Sequence, residues 1–585
     1  MGVSIPVRPG RHATPLAVTL TTAALLLGCA APAGQRPSEA SASSTAVAAP
    51  AHPTIVNVGL QADREPASPA FFGASGSGSS PLEVFYAFHA SLTAYDPAGA
   101  VMPVLAQKVP SLQDGDWRVL PEGGMEVTWK LKPGLVWHDG TPLTADDFIL
   151  GYQLNTDPEL ASSIPGALDS VSSVRGIDSQ TLVVTWKSIT VAAGVSGYDG
   201  IPAVPTHIFA EQYAAGDKTA LSNSPYWSTQ FVGLGPYKLT EWSRGSFIEG
   251  QAFDRYVGGR PKIDRIVLKF LGDANALVAS VLAGDIDIIP LGAQVDVQPV
   301  SVVRDAWAPT SGGTTGAVAK GVRMIYLNFR DATLPWVEDV RVRQAMLHAL
   351  DRDTIVETLE GGLTQRADFI APLGDPVLEM AANAGLPLYP FDLNRATELM
   401  AQAGWTKGPD GVFHNGLGQP FSAAAATSSE GTNPQEAAIV ASQLTTAGFQ
   451  ADPAPYAQTA SNRNQLAMSF PSMLIKPWNF SISAPGSLRQ SQIGTAQNAY
   501  GGNNYGGYVN PTYEELYRAY AGELESGRRQ QALFKIVKLL DEQLPVLPIF
   551  YVPQVYAFRK GLDGPGSTAY LQAASTWNVA TWTIR

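Results

Sequence analysis

The sequence predicts an α/β protein built as more than one lobe. A length of 585 residues is enough for roughly three or four domain-sized cores. Strand-like and helix-like apolar patterns alternate along the chain in two halves. A composition of 45% hydrophobic and 15% charged residues is that of an ordinary globular protein.

The elements follow in order from Thr54. TIVNVGL alternates like a strand entering a sheet, and the polar stretch after it, which includes GASGSGSSP, reads as a loop. Between 87 and 231, short strands (MEVTWKLK, TLVVTWK) mix with turns such as HDG and YDG. In the block 232–325, YKLTEW and RIVLKFL are strands, and ANALVASVLAGDIDII is a helix stopped by Gly284 and followed by an apolar strand. GVRMIYLNF, residues 321–329, is another buried strand. The chain then turns helical: Val342, Met346, Ala349 and Leu350 recur on one face, with Asp339 as N-cap. LNRATELMAQAGW is a second helix, ended by Gly404. PTYEELYRAYAGEL and GRRQQALFKIVKLLDEQLP form a helical pair stopped by Pro545. No internal repeat at solenoid periods is present.

The N-terminus reads differently. Arg8 and Arg11 precede the apolar run LAVTLTTAALLL and then Gly28 and Cys29, a secretory signal too short to span a bilayer. Residues 29–53 are rich in Ala, Ser and Pro and cannot bury enough apolar surface to order, so they predict a disordered tether. As a flexible chain it would reach about 25–30 Å. Cys29 is the only cysteine, which excludes disulfides and a Cys-based zinc site. A formal net charge of -12 argues against a nucleic-acid partner and against polybasic attachment to anionic lipid.

Catalytic motifs are missing. There is no P-loop, no G-x-S-x-G elbow and no H-E-x-x-H pair, and the seven histidines are scattered singly, so no catalytic residue, metal site or cofactor is expected. The turn Trp137-His138-Asp139-Gly140 has a structural explanation: Asp139-Gly140 supplies a positive-φ turn, Thr144 caps a helix beginning at Ala145, and Trp137 belongs to a core. Gly233, Gly235 and Pro236 likewise shape a loop leading into a strand.

These segments nevertheless form an ordered set. WHDGTPLTADDF is followed by GLGPYKLTEW, by RYVGGRPKID at 255–264, by GDID at 284–287, by LNF at 327–329 and by DVRVRQAMLHALDR at 339–352. PVLA at 103–106, IPAVPTHIF at 201–209, AGW at 403–405, GYVNP at 507–511 and LPVLPIF at 544–550 keep the same order. Over nearly all of residues 54–585 the chain resembles the solute-binding proteins of peptide-type ABC importers, the peptide/nickel (dipeptide/oligopeptide) family, solute-binding family 5. The resemblance implies a bilobal periplasmic-binding-protein-like fold of type II, in its large class with an extra subdomain inserted in lobe one. The implied division is 1–28 signal peptide, 29–53 tether, 54–86 first segment of lobe I, 87–231 inserted subdomain, 232–325 second segment of lobe I, 326–554 lobe II and 555–585 return to lobe I. It further implies a monomeric receptor that closes on a peptide-like solute and presents it to a membrane permease without altering it. Leu26-Leu27-Gly28-Cys29 resembles the bacterial lipobox, which implies lipidation at Cys29 and anchoring to the outer face of the bacterial cell membrane.

One segment departs from the family. Peptide-binding members carry an acid for the ligand's amino group in the region that is here SFPSMLIKPWNFSISAPGSL, residues 469–488, where Lys476 is the only charge. A buried ammonium without a counter-charge is costly, so the usual amine anchor is not assumed for this chain. Trp478 and Asn479 in this stretch, with Tyr500, Asn504 and Tyr505 downstream, are the expected ligand contacts, and the loop from Gln61 to Phe72 is expected to face the cleft from lobe I. The departure suits a peptide whose amine is held elsewhere or blocked, or a neutral, polyhydroxylated solute such as an oligosaccharide, for which aromatic faces and Asn amides are suitable partners. A secreted lipoprotein hydrolase and a surface scaffold are the alternatives of other classes.

Overall fold

Val56, Val58 and Leu60 are fully buried on one face of the strand Ile55–Gln61, the alternation that places this segment inside a sheet. The computed structural model describes residues 53–61, 80–96, 99–121, 123–157, 159–160, 168–197, 200–293, 295–459, 461–565 and 574–585. The signal segment, the tether up to residue 52, Cys29 and the loop 62–72 lie outside the described residues.

Ten strands share one sheet. Their order is Gln450–Tyr456, Ser422–Ser428, Met473–Asn479, Gly313–Leu327, Val546–Arg559, Ile288–Ile289, Ile55–Gln61, Arg265–Leu271, Phe247–Ala252 and Tyr237–Ser243. The sheet is mixed: Ile55–Gln61 runs parallel to Arg265–Leu271, and Ser422–Ser428 runs parallel to both of its neighbours. A separate four-stranded antiparallel sheet joins Trp117–Val119, Met125–Lys130, Thr181–Trp186 and Val171–Asp178.

The buried side chains divide into distinct cores. One gathers Val56–Leu60, Val84–Phe88, the strands and helices of 237–303, and Val555, Ala557, Leu562, Val579 and Trp582 from the chain's end. A second fills the four-stranded sheet with Trp129, Trp137, Phe148 and Leu182. Two more, one on each face of the sheet's other end, are built wholly from residues between 322 and 551. Residues 204–231, assigned from the sequence to the inserted subdomain, are a correction: Val204, Phe209, Leu221, Tyr226, Trp227 and Phe231 pack into the first core. These rings pack on one another, Phe209 stacked 5.1 Å from Trp227 and Tyr226 5.2 Å from Phe231, and the cluster shares its interior with Val84, Ala87 and Phe88.

Two long strands cross from the first core to the last. Gly313–Leu327 pairs antiparallel with Val546–Arg559 from Gly313↔Arg559 to Tyr326↔Val546. Between Ala319↔Pro553 and Gly321↔Val552 the register shifts, so Lys320 is an extra residue on its strand. The sequence pattern marked this strand only from residue 321, because GTTGAVAK has no apolar alternation; pairing with the partner strand extends it eight residues earlier. At Gly321 a Cβ would lie 2.3 Å from the Trp478 carbonyl oxygen, so this contact requires glycine.

The ordered motifs prove to be the joints of this architecture. His138 accepts from Gly233 N–H at 3.1 Å through Nδ1, and its Nε2 lies 2.9 Å from the Gly235 carbonyl, which fixes the neutral Nε2–H tautomer. A Cβ at Gly233 or Gly235 would strike the Phe88 backbone, at 1.9 Å from its oxygen and 2.4 Å from its carbonyl carbon. Thr144 caps Ala145–Thr156 as expected, and Asp147 accepts from Thr144 N–H at 2.8 Å and Thr206 N–H at 2.8 Å. Asp287 of GDID accepts from Asn57 N–H at 2.6 Å and pairs with Arg559, tying together the strands on either side of it. Glu83 accepts from Gly292, Ser575 and Thr576 N–H at 2.8–2.9 Å, which fastens the chain's end to its beginning. Arg343 donates to the Gln543 carbonyl at 2.8 Å, and Arg352 to the Tyr389 carbonyl at 2.8 Å, so both motif arginines are internal braces.

Burial pulls the His138 imidazole down to about 4 and that of His89 to about 3, from an ordinary 6.5. Both are neutral in the folded state at neutral pH. Below about pH 6.5 the unfolded chain takes up protons that the folded chain refuses, so stability falls on acidification, at up to about 1.4 kcal/mol per pH unit per histidine. Urea unfolding followed between about pH 7 and pH 5 is expected to show this decline. His138→Gln is expected to make it shallower.

Candidate solute-binding site

The three strands Ser422–Ser428, Gln450–Tyr456 and Met473–Asn479 run in parallel and end along one edge of the sheet. In open α/β sheets ligands bind outside such carboxyl ends. Here the edge carries Ser428, Glu430 and Asn433 after the first strand, Tyr456, Gln458 and Arg463 around the second, and Lys476, Trp478 and Asn479 on the third. Across from it lies Asp296, which precedes the helix Val297–Trp307 and belongs to the region of the first core. A Cβ at Gly431 would sit 3.6 Å from Asp296 Oδ2, so the two ends of the molecule approach each other here.

Charge is concentrated at this edge and partly paired. Arg323, from the crossing strand, donates to Glu436 Oε2 at 2.7 Å and to Asn433 Oδ1 at 2.6 Å. Glu360 is pushed up to about 7 by burial first and then by the negative charges of Glu436 and Asp296. Asp296 is also raised by burial, with Lys320 opposing the shift. Burial lowers the Lys320 ammonium, helped by the positive charge of Arg323. Carboxyl groups, amines and a guanidinium therefore share a partly dry region where one solute charge changes the local balance.

Beside this edge is a cavity of about 440 Å³. One wall comes from Tyr95 and Val101 of the hairpin made by Thr93–Tyr95 and Val101–Pro103. The other comes from Trp478 and Phe480 and from Tyr520, Arg529 and Gln530 of the helices Pro511–Ala521 and Ser526–Gln543. Gln530 Oε1 is buried without a hydrogen-bond partner among the described residues. Its lining is mixed, with aromatic and aliphatic side chains beside Asp375, Ser481, Ser526, Arg529 and Gln530, a combination that suits an organic solute with polar groups.

The residues singled out from the sequence occupy different places. Trp478 is 5% exposed and walls the cavity. Asn479 is exposed at the end of its strand, opposite Gly321. Tyr505 is half-buried, its ring edge-on to Tyr326 at 5.0 Å with Lys476 Nζ 5.3 Å from its centroid; burial pushes its phenol up to about 12. Tyr500 stands apart in a turn with φ 58°, held by its N–H to the Thr495 carbonyl at 2.7 Å. Asn504 is a correction. It is fully buried, donates to the carbonyls of Leu488, Arg489 and Tyr508 at 2.9, 3.1 and 2.7 Å, and accepts from Tyr508 N–H at 3.0 Å. Its amide is saturated by backbone and organises the loop. Sequence reasoning missed Lys320, Arg323, Glu360 and Tyr456, which converge only through strand pairing. Lys476 had a legible signal as the lone charge of its segment.

A family model for bacterial extracellular solute-binding proteins, family 5 Middle, matches residues 100–499. The chain belongs to that family. It is 28% identical over 273 residues to a putative ABC transporter peptide-binding protein of Brucella ovis, covering 46% of this chain and 48% of that one, so the match spans about half the relative's length. The oligopeptide-binding protein AppA of Bacillus subtilis is 24% identical over 467 residues, covering 79% of this chain and 81% of AppA. Among solved structures, an oligopeptide-binding protein from Thermus thermophilus complexed with a pentapeptide superposes with a TM-score of 0.67 at 22% identity, covering 91% of this chain and 96% of that one. The expected type II periplasmic-binding fold is the observed one.

Asn504→Ala would remove the side-chain partner of the Leu488 and Tyr508 carbonyls and of the Tyr508 N–H in a buried loop, while the Arg489 carbonyl keeps the Gln492 N–H at 3.0 Å. It is expected to lower stability by about 2–3 kcal/mol in urea unfolding. Tyr500→Ala, at a half-buried turn, is expected to change it by less than about 1 kcal/mol.

Proposed function

We propose that this chain is the substrate-binding component of an ABC importer, which captures a peptide-like solute between two lobes and delivers it to a membrane permease. The observation that carries this reading is the pair of crossing strands: separate cores lie at their two ends, and a charged, aromatic edge beside them faces the other core's Asp296. The two lobes are 54–86 with 204–325 and 555–585, and 326–554, with the inserted subdomain between the first two segments. The register shift at Lys320 and the neighbouring Pro553 are where the strand pair bends as the lobes close. A hydrolytic role is disfavoured, because His138, His207, His348 and His414 are engaged with backbone groups or with Asp139 and Asp410. The peptide-binding names of the relatives support a peptide-like solute.

The mature protein is tethered through a lipid on Cys29, on the outer face of the bacterial cell membrane. Cys29→Ser is expected to release it from the membrane fraction into the surrounding medium, and unchanged membrane retention would refute the tether. Mass spectrometry of small molecules that co-purify with natively prepared protein is expected to find a peptide. An oligosaccharide would keep the receptor role and change its cargo. A cognate solute at about a hundredfold excess over Kd is expected to stabilise the fold by about 2.7 kcal/mol, read as a rise in Tm. No shift across broad peptide and oligosaccharide panels would overturn the receptor role.

A further inference from the structure

Lys476 occupies the middle of the strand Met473–Asn479, between buried Leu474 and Trp478 on the same face and opposite fully buried Met324. Its ammonium lies over the Tyr505 ring, 5.3 Å from the centroid. Among the described residues no carboxylate comes within the 4.0 Å of an ion pair with it. Glu430, the acid that acts on it, accepts from Gln458 at 3.2 Å instead. Burial first, and then the positive charges of Arg323 and Arg463, push the Lys476 ammonium below its ordinary value. Arg323 has Glu436 and Asn433 as partners; Lys476 has only the face of an aromatic ring among the described residues. Lys476 is half-buried; an ammonium set among apolar side chains without a counter-ion is unfavourable, and the arrangement is complete only when an anion arrives from outside.

We propose that the solute carries a carboxylate that docks on Lys476, with the apolar body of the solute entering the cavity walled by Trp478. The inference rests on the receptor role proposed above and names the recognised end of the cargo. Trp478 projects from the same strand face two residues on, about 7 Å away, and is the wall of the cavity nearest to Lys476 in the chain. A carboxylate oxygen accepts from the ammonium while the Tyr505 ring supports the cation from its other side. Recognition therefore runs through an anion where the segment 469–488 offers no acid to hold an amine.

The test uses the mature chain and four pools of random tetrapeptides that differ only at their ends: free or acetylated N-terminus, free or amidated C-terminus. A neutral maltooligosaccharide serves as a fifth probe. Retention on ultrafiltration is quantified by mass spectrometry. Wild type is expected to retain the free-carboxylate pools about tenfold over the amidated ones whether or not the amine is blocked. Lys476→Met is expected to erase that difference and Lys476→Arg to keep part of it. The solute-free Tm of Lys476→Met is expected to equal or exceed that of wild type; if this variant does not fold, Lys476→Gln takes its place. Equal retention of amidated and free pools, loss of retention on acetylation alone, or undiminished discrimination in Lys476→Met overturns the carboxylate anchor. Retention of the maltooligosaccharide without any peptide pool overturns the anchor and leaves the receptor role standing. No retention of any probe by wild type overturns both.

Discussion

The backbone pairing of Gly313–Leu327 with Val546–Arg559 is the constraint on which the rest of the molecule depends. The pair has a core at each end, so it both separates two bodies and holds them in register. Its outer stretch pairs Gly313 with Arg559, and that arginine also meets Asp287 beside the strand Ile55–Gln61. Its inner stretch presents Val322, Met324 and Tyr326 to one core and Ile325 and Leu327 to another. The pairing shifts register twice, between Ala319 and Gly321 and between Arg323 and Met324. A strand shared this way allows bending at such shifts without breaking the sheet, because ladder hydrogen bonds on either side stay intact.

The residues that make this chain recognisable are almost all parts of that frame. His138, Gly233, Gly235, Asp147, Asp287, Arg343 and Arg352 join segments far apart in sequence through short, buried hydrogen bonds. Their chemistry is local and strict: glycine where a Cβ would collide with backbone, an acid where several N–H groups converge, an arginine that donates to buried carbonyls. Only the turn holding His138 and the glycines Gly233 and Gly235 had a structural reading in the sequence. None of them belongs to the charged edge around Lys476. A family pattern of this kind reports the scaffold, and the same scaffold accommodates different cargoes.

The fold class, the helix caps at Thr144, Asp339 and Gly284, and the buried face of Val342, Met346, Ala349 and Leu350 all followed from periodicity and capping chemistry. The outer half of the crossing strand did not, because its residues are half-buried and gain strand geometry only from a partner more than two hundred residues away. Trp478 and Tyr505 stood out as large aromatic residues in a segment without acids, and the fold puts Trp478 on the cavity wall and Tyr505 beside Lys476. It was misread at Asn504, since an amide that saturates loop carbonyls looks the same in sequence as one that meets a solute. Lys320, Arg323 and Glu360 were out of reach, because only tertiary pairing brings them to the edge that carries Lys476.

Glu83 and its three backbone donors connect residues at opposite ends of the polypeptide. The body they close is therefore discontinuous: Val56 and Trp582 share its interior, whereas the body between residues 322 and 551 is one uninterrupted stretch. A chain that emerges N-terminus first can complete the later body before the earlier one. Until the stretch from Ala557 to Thr576 arrives, the first body keeps an open seam along Ile288–Ile289 and around Glu83, so a truncation that removes Ser575 and Thr576 would unseal the part of the protein made first.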